Sequence, residues 1–221
     1  MSTVNIDRKA LKAVSRFQST KDIRYYLNGV CVKSNATRTV IIATDGHTIA
    51  LHKGDWKDEN VGEVAELIIP TAAVKTMLSW KLAKYAADVV TVTVPDDLSK
   101  GGQCQAQNGD NIVCFKPIDG KFPDFTRVIP KEVSGEAGHY NAEYLLRCQQ
   151  AAEDFAGRKG KNFASIGQNG NSAAVATVSA SDSFVAVVMP MRVNNPVASE
   201  WLWALDPLAM PVDAVEPVAE A

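Results

Sequence analysis

A pattern of one short strand, one amphipathic helix and several further strands occurs three times along this chain, with a period of about 60 to 70 residues. Each helix is predicted from apolar residues at helical spacing, after a side chain that can cap a helix. The predicted helices run from a cap at Asp7 to about Phe17, from a cap at Thr71 to about Tyr85, and from a cap at Asn141 to about Phe155. Such repetition predicts a fold built by stacking copies of one unit.

Strands are predicted on both sides of each helix, from β-rich segments that end at turn residues. The predicted strand segments are 4–6, 24–33 and 39–52 in the first unit, 66–69, 89–94, 102–107 and 111–116 in the second, and 137–140, 162–166, 173–179 and 183–189 in the third. Asn28-Gly29 has the chemistry of a hairpin turn. The predicted class is α+β, with repeated β-α-β-β-β units whose helices lie on one face of antiparallel sheets.

The composition argues against a membrane protein and a secreted protein. The longest apolar runs fall far short of the ~18 residues that a membrane-spanning helix needs. The first residues lack the basic and apolar regions of a secretory signal. Four cysteines without Cys-x-x-Cys spacing favour reduced thiols rather than disulfides or a zinc site. We therefore expect a cytoplasmic protein.

Motifs for catalysis are missing from the sequence. It contains neither a phosphate-binding glycine loop nor a metal-ligand or nucleophile motif. Asp45 and His47 are spaced to face the same side of a strand, but a second catalytic motif does not accompany them. We expect no catalytic residue, no metal and no cofactor.

Basic side chains recur on the first two predicted helices. They are Arg8, Lys9, Lys12 and Arg16 on the first helix and Lys75, Lys81 and Lys84 on the second. Three of the first four are four residues apart and so share one stripe. A basic helix face is usually only solvated, but two such faces on similar units favour contact with phosphates. Without an aromatic platform or a recognition helix, this contact would be independent of base sequence and sensitive to salt.

Residues 194–221 differ in composition from the rest of the chain. They contain five acidic residues and four of the ten prolines, but no lysine, arginine or glycine. This composition predicts a weakly ordered acidic, proline-rich tail. The aromatic residues Trp201 and Trp203 either pack on their own domain or form a docking peptide, and the sequence leaves both open.

Four segments, in this order, resemble a known family. They are 24–30 (RYYLNGV), 43–47 (ATDGH), 119–130 (DGKFPDFTRVIP) and 187–193 (VVMPMRV). Residues 1–193 resemble the bacterial DNA polymerase III β sliding clamp, which implies the DNA clamp fold. Residues 1–130 resemble its complete middle domain, with two units, and 131–193 resemble half of its last domain, with one. The resemblance also implies that Asn28-Gly29 lies within a strand.

The resemblance further implies a hydrophobic pocket that binds short peptides of polymerases and other DNA enzymes. The matching wall positions are Leu27, Thr44, Gly46, His47, Thr48, Ile49, Pro123, Val128, Val187, Met189, Pro190 and Met191. Leu, Ile, Val and Met side chains can bury apolar anchor residues of a peptide. Thr48 and Ile49 stand where family members usually have Arg and Leu, which would alter the peptides that fit. Without the resemblance, these apolar residues would be assigned to the core.

Two functions from different classes follow from the resemblance. The first is a processivity clamp, a homo-oligomer around double-stranded DNA that also binds DNA polymerase and other proteins with clamp-binding peptides. A clamp loader is a further candidate partner. Because the chain has half as many units as a family clamp, twice as many chains would be needed for a ring.

The alternative is a clamp-like adaptor or competitor that binds such peptides without forming a ring. A clamp-derived remnant with neither activity stays open as well. Residues 204–208 (ALDPL) faintly resemble a clamp-binding peptide, so the tail is also a candidate occupant of the pocket.

Overall fold

The computed structural model describes residues 1–55, 64–81, 87–97, 102–157, 160, 162–193 and 204. Residues 1–191 form one compact body that contains all three repeated units. The remaining segment, 192–221, is described only at 192, 193 and 204. The helices of the described chain are α1 (Arg8–Ser15), α2 (Thr71–Ser79) and α3 (Ala142–Ala156). Its strands are β1 (Ser2–Asp7), β2 (Gly29–Ser34), β3 (Arg38–Thr44), β4 (Thr48–Asp55), β5 (Val64–Pro70), β6 (Val89–Val94), β7 (Cys104–Asn108), β8 (Asn111–Phe115), β9 (Ala164–Gly167), β10 (Ala174–Val178) and β11 (Ser181–Val188). Within these residues, none of the helices has the length and apolar character to cross a membrane.

The strands form two antiparallel sheets. One has four strands in the order β1-β6-β7-β8, and the other has seven in the order β5-β2-β3-β4-β11-β10-β9. The first two units exchange their first strands, because β1 pairs with β6 of the second unit and β5 pairs with β2 of the first. The third unit extends the larger sheet through the pairing of β11 with β4. The predicted α+β class with antiparallel sheets is confirmed.

The helices bury their apolar faces in one core shared by both sheets. Leu11 and Val14 of α1, Met77 of α2 and Cys148 of α3 all belong to this core and are fully buried. Burial of side chains of this size stabilises the fold by about 1.5–3 kcal/mol each. Since the third unit contributes α3 to the same core as α1, the third unit is packed within the compact body of residues 1–191.

The helix ends agree with the predicted caps in two cases of three. The Asp7 carboxylate accepts a hydrogen bond from the Ala10 amide at 2.8 Å, and the Asn141 side chain accepts one from the Glu143 amide at 2.9 Å. The cap predicted at Thr71 is wrong, because Thr71 is the first residue of α2 and Pro70 precedes it. The Thr71 hydroxyl donates instead to the Asn28 carbonyl, at 2.8 Å.

The end of α2 is held by a side chain from α1. The Arg8 guanidinium donates to the carbonyl oxygens of Met77 at 3.1 Å, Leu78 at 2.8 Å and Trp80 at 2.7 Å. These carbonyls have no amide partner within the helix. α2 ends at Ser79, and the prediction of helix at residues 80 and 81 is wrong; residues 82–85 of the predicted helix lie outside the described residues.

The strand predicted at residues 137–140 is wrong. This segment is irregular, and it bonds to the loop after β9: the Gly138 amide donates to the Gln168 side chain at 3.1 Å. In the first two units, the first strand pairs with the sheet of the reciprocal unit. The described chain holds no reciprocal unit for the third, so this segment has no sheet edge to join.

The hairpin turn predicted at Asn28-Gly29 is also wrong. Asn28 ends a short 3-10 turn, Tyr25–Leu27, and Gly29 is the first residue of β2. A Cβ atom at Gly29 would lie 2.4 Å from the Ile69 carbonyl oxygen of β5. The glycine thus allows two strands to approach closely. The strand position that the family resemblance implied holds for Gly29 but not for Asn28, which precedes β2.

A buried carboxylate joins the first and third units. Asp154 of α3 has a side chain only 4% exposed, and it pairs with Lys12 at 2.8 Å and with the Arg16 guanidinium, both at the α1 end of the core. Gln150 accepts a further bond from Arg16 at 2.9 Å. Because the carboxylate is shielded from water, breaking these ion pairs costs more than breaking pairs on the surface.

We predict that Asp154→Asn lowers the free energy of unfolding by about 2 kcal/mol, because the neutral amide loses two charge-assisted pairs. Urea denaturation measures the change. Asp182→Asn, at an exposed position of β11, is the matched control and should change stability little. Equal effects of the two substitutions would contradict a role for Asp154 in joining the units.

Candidate functional site

A cavity of about 180 Å³ opens where the first and third units meet. Its walls come from the turn that joins β3 to β4, from the Tyr25–Leu27 turn, from residues 123–128 and from the end of β11. The lining residues are Arg24, Tyr26, Leu27, Thr44, Gly46, His47, Thr48, Ile49, Pro123, Asp124, Phe125, Val128, Val187 and Met189. Four segments distant in sequence thus meet at one concave surface.

Ten of the twelve residues predicted for the pocket line this cavity. The two that do not are Pro190 and Met191. The Met189 amide donates to the His47 carbonyl at 3.0 Å, and the Met191 amide donates to the His139 carbonyl at 2.7 Å. The chain after β11 is therefore led away from the cavity, and the Met191 side chain is exposed.

Four lining residues were not predicted: Arg24, Tyr26, Asp124 and Phe125. Each lies within three residues of a predicted one, in the segments around Leu27 and Pro123. Their closeness in sequence to the predicted residues is the signal from which they could have been predicted. In a 3-10 turn or an irregular segment, neighbouring side chains do not alternate between two faces as they do in a strand.

The floor of the cavity is apolar and rigid. Ile49 of β4 and Val187 of β11 lie directly opposite each other across the strand pair, and both are buried. They share a small hydrophobic cluster with Phe122, and Val128 packs against it. Both side chains sit on paired strands, so the floor is built on regular structure rather than on a loop.

One wall is a tight turn fixed by the Asp45 carboxylate. This carboxylate accepts hydrogen bonds from the amides of His47 at 2.9 Å and Thr48 at 2.7 Å, and from the Thr48 hydroxyl at 3.0 Å. Gly46 has a φ of +91°, and a Cβ atom there would lie 2.8 Å from the Arg24 guanidinium. Glycine is favoured at this position by its positive φ, whereas a Cβ atom would displace only the flexible end of the Arg24 side chain.

The third unit supports the same turn through α3. Arg147 forms an ion pair with Asp45, and its guanidinium lies 5.2 Å from the centre of the Tyr144 ring. Tyr144 in turn stacks on His47, with 6.1 Å between ring centres and 14° between ring planes. Burial raises the pKa of Asp45, but the hydrogen bonds from Thr48, His47 and Arg147 outweigh it and hold the pKa below its ordinary value.

Charged groups stand at the cavity rim. The Arg24 guanidinium donates to the Asp22 carboxylate at 2.7 Å and to the Asp45 carbonyl at 3.4 Å. Hydrogen bonds from Arg24 lower the pKa of Asp22 to about 2. The hydroxyl and amide of Thr126 hold the pKa of Asp124, which also lines the cavity, below its ordinary value. The site therefore combines an apolar floor with a charged, hydrogen-bonding rim.

The described residues among those predicted to face DNA fall into two groups. The charged groups of Arg8, Lys12 and Arg16 are used within the fold, on the end of α2 and on Asp154. Lys9, Lys75 and Lys81 are exposed and have no ion-pair partner among the described residues. Lys84 lies outside the described residues.

The described residues contain no group of metal-ligating side chains. Burial raises the pKa of the Cys31 and Cys148 thiols to about 12 and that of Cys104 to about 11. These thiols are protonated at neutral pH and are poor nucleophiles. The chemistry that the cavity supports is burial of apolar side chains with hydrogen bonding at the rim.

We predict that Asp45 makes folding stability depend on pH. Its folded pKa lies below its unfolded value, so its contribution is complete above the unfolded value, about 4, and is lost as the pH falls through the folded value. Asp45→Asn should therefore lose less stability than the natural protein between pH 6 and pH 3, in urea denaturation at each pH. Asp182→Asn is the control, and equal losses in the natural protein and Asp45→Asn would contradict the assignment.

Comparison with known proteins shows what this chain is similar to. The family described as DNA polymerase III beta subunit, central domain, matches residues 4–124. A beta sliding clamp of Proteus mirabilis is 27% identical over 124 residues, 56% of this chain and 32% of that protein. One of Caulobacter vibrioides is 31% identical over 118 residues, 52% of this chain and 30% of that protein. The chain thus spans about a third of the length of these relatives.

Solved structures of sliding clamps share the fold. The clamp from Bacillus subtilis has a TM-score of 0.61 at 16% identity, covering 86% of this chain and 64% of that one. A clamp from Pseudomonas aeruginosa, solved with ligand, has a TM-score of 0.58 at 19% identity, covering 87% of this chain and 66% of that one. Because the family match extends over more than half of the sequence, this chain belongs to the DNA polymerase III β sliding clamp family.

Proposed function

We propose that this protein is a sliding clamp that oligomerises around duplex DNA and binds short peptides of replication proteins in the cavity. The observation that carries the proposal is the pairing of β4 with β11, which places an apolar floor at the meeting point of two clamp units. In this proposal residues 1–130 are a complete clamp domain of the middle type. Residues 131–193 are one unit of the last type, and 194–221 are a tail.

The cavity suits a peptide with apolar anchor residues. Its floor holds Leu27, Ile49 and Val187, which are buried and hydrophobic, and Met189 adds a flexible wall that adapts to different side chains. Burial of one Leu or Phe anchor contributes about 1.5–3 kcal/mol to binding. Arg24 at the rim offers a guanidinium to an acidic residue or a carbonyl of the same peptide. A segment of the form Gln-Leu-Asp-Leu-Phe, which family clamps bind, supplies these groups.

We predict that Met189→Asp weakens binding of a labelled peptide carrying Gln-Leu-Asp-Leu-Phe by at least about tenfold, roughly 1.4 kcal/mol. The reason is that a carboxylate in an apolar wall must lose its hydration when the peptide binds. Fluorescence anisotropy gives the affinity.

The matched control is Phe163→Asp, which changes an exposed apolar residue that does not line the cavity and should bind as the natural protein does. Absence of peptide binding by the natural protein would overturn the pocket proposal. Equal weakening by both substitutions would show that the cavity is not the binding site.

The DNA contact is proposed for the exposed lysines of α1 and of the α2 region. Lys9, Lys75 and Lys81 are the described members of the predicted basic set whose charges are not paired within the fold. Three free ammonium groups among the described residues of this set give a weak contact, so an assembly of several chains is needed for retention on DNA. Each neutralised phosphate steepens the dependence of affinity on salt.

We predict that light scattering over a range of concentrations gives a closed assembly, with a tetramer expected from the count of units. The assembly should bind duplex DNA of any sequence, with an affinity that falls as salt rises. The triple substitution Lys9→Ala, Lys75→Ala and Lys81→Ala should reduce the slope of log affinity against log salt without changing the mass.

The control pair is Lys121→Ala with Lys131→Ala, since both lysines are exposed outside the helices. A monomer at every concentration would contradict encircling. An unchanged salt slope in the triple variant would contradict the proposed DNA face.

A clamp-like adaptor that binds peptides without forming a ring is the competing proposal. The observation that favours it is that the charged groups of Arg8, Lys12 and Arg16 are bonded to carbonyl and carboxylate groups within the fold. Peptide binding by a protein that does not bind DNA would support the adaptor and exclude the ring.

A further inference from the structure

Lys33 of β2 and Glu66 of β5 form an ion pair beside the cavity. The Lys33 ammonium lies 3.1 Å from the Glu66 carboxylate, and both residues are partly buried. Cys31, two residues before Lys33 on β2, is buried in the small hydrophobic cluster that forms the cavity floor. Because residues two apart on a strand share a face, the ion pair borders that floor cluster on the same side of the sheet.

The pairing of β2 with β5 is irregular at this ion pair. Between the pairs formed by Val32 and by Ser34, β2 has one residue, Lys33, whereas β5 has two, Ala65 and Glu66. An extra residue of this kind bends its strand and changes the direction of a side chain, and such bulges recur beside functional sites. At this bulge the Glu66 carboxylate contacts two partners at once, Lys33 and the chain that follows β8.

The chain that follows β8 forms one wall of the cavity. Phe122, which is buried in the floor cluster, donates its amide to Oε1 of Glu66 at 2.7 Å, while Oε2 of Glu66 faces Lys33. The next residues, 123–125, line the cavity. The Lys33 ammonium also lies 5.9 Å from the centre of the Phe125 ring. The ion pair therefore holds this wall at its first residue and again at Phe125.

The chain before this wall has little other support. It bonds to β5 at Ile118, whose amide donates to the Ile68 carbonyl at 2.9 Å. A second cavity, of about 440 Å³, lies beside the chain here, and its lining includes Glu66, Ile118 and Gly120. Atoms that line a cavity lack packing partners on that side. The position of the wall therefore depends on the hydrogen bond between Phe122 and Glu66.

We propose that Glu66 is a positioning residue for peptide binding, which acts through Phe122 and Lys33 to fix the wall formed by residues 123–125. Glu66 does not line the peptide cavity, so it acts without touching the peptide. The inference rests on the proposed function, because it takes the cavity to be a peptide site. Without the carboxylate, peptide binding must also order the wall, and the cost of that ordering lowers the affinity.

Two substitutions separate the two contacts of Glu66. Glu66→Ala removes both the hydrogen bond to Phe122 and the ion pair, and it should raise the Kd of the labelled peptide at least about fivefold. Glu66→Gln keeps an oxygen that accepts the Phe122 amide and loses only the ion pair, so it should bind more tightly than Glu66→Ala. Fluorescence anisotropy gives the Kd, and circular dichroism shows that each variant is folded under the same conditions.

A thermodynamic cycle tests whether Glu66 acts through the wall. In a Phe125→Ala background the ring that the ion pair helps to place is missing, so Glu66→Ala should raise the Kd by a smaller factor than it does in the natural protein. Equal factors in the two backgrounds would show that Glu66 does not act through this wall.

Asp154→Asn is the matched control, because it disrupts ion pairs of the same compact body at a residue that does not line the cavity. It should lower stability and bind the peptide as the natural protein does. Hydrogen exchange gives a second measurement, made without peptide. The Phe122 amide should exchange faster in Glu66→Ala than in the natural protein, and at the natural rate in Asp154→Asn.

Three further results would overturn the proposal: natural affinity in Glu66→Ala, a Glu66→Gln variant that binds no better than Glu66→Ala, or equal weakening by Asp154→Asn. In each of them the natural protein still binds the peptide, so the proposed pocket stands. A natural protein that does not bind the peptide would overturn the pocket and the role of Glu66 together. The affinity of the natural protein thus distinguishes the two failures.

Discussion

The pairing of β4 with β11 is the interaction on which the rest of the structure depends. It joins a strand of the first unit to a strand of the third, over five residue pairs from His52 opposite Phe184 to Thr48 opposite Val188. This pairing brings the third unit, and with it α3, next to the first unit. It also brings Ile49 and Val187 together to form the floor of the cavity. Pairing of buried strands fixes register strongly, because a slip of one residue would turn each apolar face outward. The cavity is thus a consequence of sheet continuity between two units.

The cavity wall and the unit junction are also one electrostatic system. Asp45 fixes the turn with its own backbone amides and also receives Arg147 from α3. Arg147 lies over Tyr144, whose ring stacks on His47 of the same turn. A shift of α3 would therefore be felt at the cavity wall. The Asp154 pairs with Lys12 and Arg16 lie about two turns further along α3, so this helix is held at two points.

Local signals predicted the parts of the fold that depend on local chemistry. Asp7 and Asn141 cap their helices as their side chains predict, and the apolar alternation of 89–94 coincides with β6. The strand predicted at residues 137–140 was wrong because a strand needs a neighbouring strand to pair with. In the first two units that neighbour comes from the reciprocal unit, which the third unit lacks among the described residues. The stripe of Arg8, Lys12 and Arg16 does lie along α1, but its partners on α2 and α3 come from distant positions that no helical spacing reveals. Ten cavity residues were placed through the family resemblance, since composition alone assigned the same residues to a core.

The exchange of strands between units determines which strands lie at the edges of the two sheets. In the first two units each sheet receives its last strand from the other unit, so β1 and β5 close what would otherwise be open sides. The third unit gives its strands to the larger sheet without a reciprocal exchange, and its own first segment stays irregular. The smaller sheet ends at β1 and β8, and the larger sheet ends at β5 and β9. In a fold made of repeated units, every sheet ends where the units end. The edges that remain, rather than the count of units alone, decide which assemblies are open to the chain.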